Sequence, residues 1–384
     1  MAADFGLVYP LWNHSRAADN LLDSVVGEVG IDHLTVPVVT GEVTQFRLGG
    51  GFESPHFHTE GGWHFQPQAK LYAAAGVKPR VAKWCGTRDV LANVQEYADR
   101  QGLKLILRIA LPAVPGLAGQ AAGMRRRDAW GTELPERGPC VCSPNFRELL
   151  RATLNDLARY EPAGFELEHI EPTEPLPGVP RPVLQQWTLS GTAAELCFCS
   201  ACRQLANAAA VDADGAAEAV RDYLAAVARC DPGDVIEGDD GGQNYAPRFA
   251  PHSAARGDDC REWVGRVAES LGNTRVIVVG GDPSESNLPP GGSWPGCQLI
   301  TRVNPLSMSP EVLEYPLKMA HISGSDGVCM SVVSPELTSA DTLVRGVSIA
   351  AKVGMEFFDF EHVEEHPPAV VTWLKQAVRY ARRG

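Results

Sequence analysis

Two segments of this sequence place acids two residues apart: Gly164-Phe165-Glu166-Leu167-Glu168-His169 and Phe357-Phe358-Asp359-Phe360-Glu361-His362. In an extended strand alternate side chains share a face, so Glu166 sits with Glu168 and Asp359 with Glu361. The residues between them, mostly Phe and Leu, suit an apolar layer, so the acids must point the other way. Burying a carboxylate is costly unless it is paired or used. Paired carboxylates are also the tools of glycosidic bond cleavage. Arg108 and Arg302 close two other apolar runs and stand as their partners. An ion-pair layer with a purely structural role is the competing reading, strongest for the deeper Glu166 and Asp359. Glu168 lies nearer its strand end and is the first choice for chemistry, with Glu361 as its partner.

A second constellation is Cys197-Phe198-Cys199-Ser200-Ala201-Cys202, three thiols within about one turn of backbone. Upstream, Cys140-Val141-Cys142-Ser143-Pro144 offers a fourth. Four thiolates are what a closed, tetrahedral structural zinc site takes. Simple burial of unreactive cysteines is the plain alternative, and thioredoxin-type redox chemistry would need a βαβ setting that is missing here.

A third is the run His56-Phe57-His58-Thr59-Glu60-Gly61-Gly62-Trp63-His64-Phe65, expected as a long loop after the second strand. His56 and His58 could share a catalytic metal with Glu60 or His64. The milder reading is a sugar-binding wall, with Trp12, Trp63 and Phe65 as flat faces and His14, His56, His58 and His64 bonding hydroxyls. An incidental surface loop is the third reading. Arg108, Arg302 and Asp359 belong to the same expected binding surface. So does Asp282, which follows the fifth strand in Gly280-Gly281-Asp282-Pro283 and would serve equally as a helix N-cap.

These groups need a scaffold that brings distant strand ends together. Eight apolar runs, at 5–12, 33–39, 103–109, 164–169, 275–280, 298–303, 327–333 and 356–361, alternate with helical patterns. Those patterns include 90–100, a helix starting at Ser143-Pro144, 216–228, 263–271, 343–352 and 369–382. Continuous apolar strands between helices imply a parallel sheet covered on its outside. Eight such units predict a (β/α)8 barrel spanning residues 1–384, with chemistry at the carboxyl ends of the strands. Residues 170–273 form a long excursion between strands four and five that carries most of the expected zinc site. An open doubly wound sheet is the runner-up, but the first strand lacks a Gly-x-Gly-x-x-Gly turn.

The net charge of −13 argues against a nucleic-acid surface. The one basic run, Arg125-Arg126-Arg127, reads as a solvated loop. No apolar run approaches the ~20 residues that span a bilayer, and the start shows no signal-peptide pattern. Ten cysteines are too sparse for a disulfide framework in 384 residues. A cytoplasmic protein with reduced thiols is expected. Its partner is a small carbohydrate or glycoside, with no membrane partner, and the composition is compatible with a homo-oligomer.

Cys140-Val141-Cys142-Ser143-Pro144-Asn145-Phe146-Arg147-Glu148, the strand opening Gly164-Phe165, and Cys197-x-Cys199-x-x-Cys202-Arg203 resemble the zinc-bearing barrel β-galactosidases. They are closer still to uncharacterised glycosyl-hydrolase-like barrels with a Cys-Phe-Cys-x-x-Cys-Arg segment. The likeness covers roughly residues 138–205 and elsewhere extends only to barrel order. It implies that Cys140 joins Cys197, Cys199 and Cys202 on a structural zinc, with Cys142 outside the shell. Those galactosidases end strand four in Asn-Glu, a pattern this chain lacks. Its register is similar to Gly-Ile-x-Leu-Asp-Tyr-Ile-Arg of other glycosidase-like barrels, which implies a catalytic role for Glu168. The family's second carboxylate ends strand seven. Here that segment runs Cys329-Met330-Ser331-Val332-Val333-Ser334-Pro335-Glu336, so the resemblance offers only Glu336, beyond the strand, as an alternative to Glu361.

Overall fold

The computed structural model describes residues 3–14, 19–48, 54–171, 193–227, 245–280, 294–303, 310–332, 340–366 and 369–383. Eight parallel strands form its centre: β1 (Asp4–Val8), β2 (His33–Thr40), β3 (Lys104–Ile109), β4 (Gly164–Leu167), β5 (Arg275–Gly280), β6 (Gln298–Val303), β7 (Ser325–Ser331) and β8 (Phe357–Glu361). They follow one another around the sheet, and β1 pairs with both β8 and β2, which closes it. The chain folds as a (β/α)8 barrel. Helices at Val90–Gln101, Pro144–Leu157, Ala246–Ser270, Pro310–Ile322, Ala340–Val353 and Ala369–Ala381 accompany the strands.

Strand ends differ from the sequence expectation for local reasons. β1 stops at Val8 because Pro10, which has no N–H for the ladder, leads into a tight turn at Leu11–Asn13. β4 stops at Leu167 because His169 turns left-handed, with φ 57°. The helix expected over 263–271 is the last part of the 25-residue helix Ala246–Ser270, which continues through Pro251. The helix Pro310–Ile322 has no counterpart in the sequence reading, since Pro316 interrupts its pattern.

Two expected loops are instead antiparallel hairpins. Val43–Phe46 pairs with His56–Thr59, and Gly62–Trp63 adds to the end of β2. Arg125–Arg127 pairs with Glu133–Pro139. Arg126 is therefore not solvated. It is buried against Glu195, whose carboxylate also meets Arg137. Within the excursion, helices Ser200–Ala208 and Ala213–Val227 pack with Ala246–Ser270 around a small core of their own, centred on Phe198, Val220, Tyr223 and Phe249. Among the described residues no helix is long and apolar enough to cross a membrane.

Alternation along the strands sorts side chains between the outer layer and the lumen. Phe5 stacks on Phe358 at 4.8 Å in the outer layer. Val8, Ile106, Ile277, Val279, Ile300, Cys329 and Phe357 make a cluster of their own, separate from it. The lumen also holds a charged core. His33 lies face to face with Phe357 at 4.5 Å. Its Nδ1 meets Asp4 Oδ1 at 3.0 Å and its Nε2 meets Asp359 Oδ1 at 2.9 Å. Gly6 is what admits the ring, since a Cβ there would stand 2.0 Å from His33 Nε2. Thr35 Oγ1 donates to Asp359 as well.

Burial alone would lower the pKa of His33, but Asp359 and Asp4 outweigh it and push it up to about 9. Unfolded histidine titrates near 6.5, so this stabilisation is complete below about pH 6.5 and is lost as pH rises through about 9. Urea unfolding of wild type and His33→Gln should therefore differ more at pH 6 than at pH 9.5, by on the order of 3 kcal/mol. A difference that stays flat across that range would mean that folded His33 is neutral.

Candidate functional site

At the carboxyl ends of the strands the barrel opens into a cleft of about 800 Å³. Its floor carries Arg108, Glu168, Arg302 and Glu361, and its walls include His169 and His362. β4 and β8 stand opposite each other in the eight-strand ring, and each delivers its second acid to this floor. Glu166 and Asp359, one pair of residues lower, are wholly buried beneath it.

Arg108 joins the acids. Its Nε lies 2.7 Å from Glu166 Oε1, and its Nη1 lies 3.0 Å from Glu361 Oε2 and 3.5 Å from Glu168 Oε1. Nη2 reaches Cys329 Sγ at 3.4 Å and Asp359 Oδ2 at 3.9 Å. Arg302 pairs with Glu168 Oε1 through Nη2 and with Glu361 Oε1 through Nε at 3.3 Å. One Arg108 nitrogen touches both upper acids, so those two oxygens are at most about 6.5 Å apart. Both contacts to Glu168 use Oε1, which leaves Oε2 with no ion pair or hydrogen bond among the described residues.

The same geometry sets the charges. Burial would raise Glu168 and Glu361, but Arg302 and Arg108 outweigh it, with His362 also acting on Glu361. Both carboxyls are held below the ordinary carboxylate range. Glu166 differs. Burial pushes it up to about 8, and Arg108 only partly offsets this against the like charges of Asp359 and Glu168. Its contact with Arg108 is close, yet neither of its oxygens makes a well-aligned hydrogen bond.

The remaining expected residues separate. Trp12 lines the cleft, donates to Gln45 Oε1 at 2.8 Å, and has one face covered by Phe57 at 5.2 Å. Trp63 and His64 are buried behind it, not displayed to a ligand. Trp84 Nε1 donates to His64 Nδ1 at 2.9 Å, so Nε2 carries the proton and faces Thr40 Oγ1 at 2.7 Å. Burial pulls His64 down to about 3 and keeps it neutral. His14 lies in a separate recess with Asp23 and Tyr97. His56 and His58 are exposed on the hairpin, where His58 Nδ1 meets Thr44 Oγ1 at 3.1 Å. Asp282 and Glu336 lie outside the described residues. Not anticipated from sequence were Cys329 beneath the floor and the pairing of His362 with Glu365. The repeated acid-x-acid-His ending of β4 and β8 was the available signal for the histidine.

Away from the cleft, Cys140, Cys197, Cys199 and Cys202 converge, with all four sulfurs within 4.8 Å of one another. Cys140 Sγ is 3.5 Å from Cys202 Sγ and 3.7 Å from Cys199 Sγ. Four buried thiols at this spacing can hold a metal ion, and they form the one such donor group among the described residues. Cys142 stands outside it, its sulfur 4.0 Å from the carbonyl oxygen of Arg256. Arg127 N–H donates to Cys197 Sγ at 3.4 Å, a contact suited to a thiolate. His252 contacts the Cys197 carbonyl at 3.0 Å and lies flat on Phe198 at 4.6 Å.

No protein-family model and no curated protein matches the sequence. Solved structures do resemble the fold. A β-galactosidase from Bacillus circulans sp. alkalophilus aligns over 98% of this chain and 55% of its own, with TM-score 0.54 and 12% identity. A β-N-acetylhexosaminidase from Bacteroides fragilis aligns over 98% of this chain and 65% of its own, with TM-score 0.50 and 9% identity. This chain therefore spans less than two thirds of either neighbour, and at these identities the likeness is one of fold.

Removing Arg108 should test how far the acid cluster depends on it. Arg108→Met leaves Glu166 without its close cation and takes one of the cations from Glu361, which keeps Arg302 and His362, and should cost roughly 3–5 kcal/mol in denaturant unfolding. A loss within about 0.5 kcal/mol, typical of surface positions, would show that the acids are accommodated without it.

Proposed function

We propose that this protein is a glycoside hydrolase-like enzyme that acts on a small carbohydrate or glycoside at the barrel mouth. The observation that carries this reading is the meeting of Glu168 and Glu361 from opposite strands on the floor of one cleft. Glycosidic cleavage uses acidic groups about 5–9.5 Å apart around an oxocarbenium-like transition state. Glu168 is the working carboxylate, because its Oε2 is left for a ligand or water. Glu361 is tied through both oxygens to the two arginines and positions them. Trp12, with Ala110, Pro112, Ala113 and Val114, gives the cleft an apolar side of the kind ligand pockets use.

Glu168→Gln should lower kcat/KM on a panel of aryl glycosides by about 10²–10⁴-fold while leaving the thermal melt unchanged. Full retained activity would remove Glu168 from the chemistry. A non-catalytic sugar-binding barrel is the second reading, favoured by the fact that both upper acids already face guanidinium groups. Its sign would be saturable glycan binding without turnover across the same panel.

We further propose that the cysteine quartet holds structural zinc. Tetrahedral zinc with Zn–S near 2.3 Å sets sulfurs about 3.8 Å apart, in line with the 3.5 and 3.7 Å observed. Thiolates bind the ion only in the assembled geometry, so its binding energy becomes part of folding energy. Metal analysis should find about one zinc per chain. Cys199→Ser should release it and lower the melting temperature, and Cys142→Ser should keep it. Loss of zinc from Cys142→Ser with retention in Cys140→Ser would reverse the assignment of these two residues.

A further inference from the structure

The hydrolase reading leaves one role unfilled: a group that gives a proton to the departing oxygen. Glu168 and Glu361 are held ionised by two arginines and have no proton to give near neutral pH. Glu166 keeps its proton, but it is buried below Arg108 and does not reach the cleft wall. Asp359 is occupied by His33 and Thr35 in the same buried layer.

We infer that His362 is the proton donor of the site. It follows Glu361 directly and lines the cleft. Its φ of 67° is a left-handed conformation uncommon for a residue with a Cβ, and it places the ring at the mouth at the end of β8. Glu365 Oε1 holds Nδ1 at 3.0 Å, which fixes the ring and favours its charged form. Nε2 stands 3.8 Å from Glu361 Oε1 and makes no hydrogen bond among the described residues. The side chain is 39% exposed, enough to meet a ligand. Burial would lower its pKa, but Glu365, Glu361 and Glu364 outweigh that and push it up to about 9. His366 is a further titratable neighbour, and Arg302 Nε meets the same Glu361 Oε1, at 3.3 Å, that His362 Nε2 faces at 3.8 Å. His169 holds the matching place after β4, with φ 57°, but is buried.

In the step, the Nε2 proton passes to the departing oxygen as the C–O bond breaks and its electron pair moves onto that oxygen. Water adds to the carbon and yields its proton to Glu168. Exchange with solvent then returns a proton to His362 and removes one from Glu168, so the net change is the addition of one water.

This inference rests on the hydrolase reading, and the experiment separates the two. Wild type and His362→Gln are compared on phenyl and 2,4-dinitrophenyl glycosides of the same sugars. Loss of a proton donor should lower kcat/KM by about 10²–10³-fold on the phenyl glycosides, which need leaving-group protonation, and by less than about 5-fold on the dinitrophenyl ones. The alkaline limb of the wild-type pH profile should disappear in His362→Gln and move to lower pH in Glu365→Gln. Histidine NMR of the wild-type protein, assigned by difference from His362→Gln, should show the ring still protonated at pH 7.5. Equal losses on both leaving groups, no loss on either, or a ring neutral at pH 7.5 would each overturn the assignment while leaving the hydrolase reading in place. No turnover of any glycoside by wild type would overturn the hydrolase reading and the donor with it.

Discussion

The barrel mouth depends on one buried guanidinium. Four carboxyl groups from β4 and β8 enter the lumen, and Arg108 lies within 4 Å of a carboxylate oxygen of each. Its rigid fork of five donors can serve several acids at once, which an ammonium group would do less well. With Arg302 and protonated His33 it supplies three cations to this layer. The acids they meet are Glu166, Glu168, Glu361, Asp359 and Asp4. Burial pushes Glu166 up to about 8, and Arg108 offsets this only in part against the like charges of Asp359 and Glu168. Glu168 and Glu361 differ from Glu166 because the arginines outweigh burial at the first two and do not at the third.

The same local pattern does different work on the two sides of the barrel. Glu166-Leu167-Glu168-His169 and Asp359-Phe360-Glu361-His362 both end in a left-handed histidine. Asp359 meets His33 and Thr35, while Glu166 faces Ile277 in strand register and has Arg108 at short range. His362 has Glu365 one turn on; His169 is followed by Ile170 and Glu171 at the start of the excursion. Environment, more than residue type, separates a neutral carboxyl from an ionised one and an open imidazole from a covered one.

The barrel was legible because each strand is a continuous apolar run with helices between, a pattern that survives without knowledge of tertiary contacts. The acids were legible too, since a carboxylate alternating with Phe or Leu has only the lumen to enter. The His56 to Phe65 segment misled because its histidines alternate, which the hairpin uses to expose His56 and His58 on one face. Trp63 and His64 gave no sign of burial, because that comes from partners distant in sequence, Thr40 and Trp84 for His64 and β2 for Trp63. Arg126 reads as surface until Glu195, 69 residues away, is brought beside it. His33 reads as an ordinary strand residue, and its charge is set by Asp4 and Asp359 from two neighbouring strands.

The cysteine quartet and the cleft are joined through a short piece of backbone. The hairpin strand Glu133–Pro139 ends one residue before Cys140, and its Pro135, Glu136 and Gly138 form part of the cleft wall. Its partner strand, Arg125–Arg127, is fixed by the Arg127 N–H contact to Cys197 and by Arg126 against Glu195. The quartet therefore anchors both strands of this hairpin to the excursion after β4. Hairpins of this kind are marginal without a surface to pack on. Whatever holds the four sulfurs together therefore also holds that wall of the cleft.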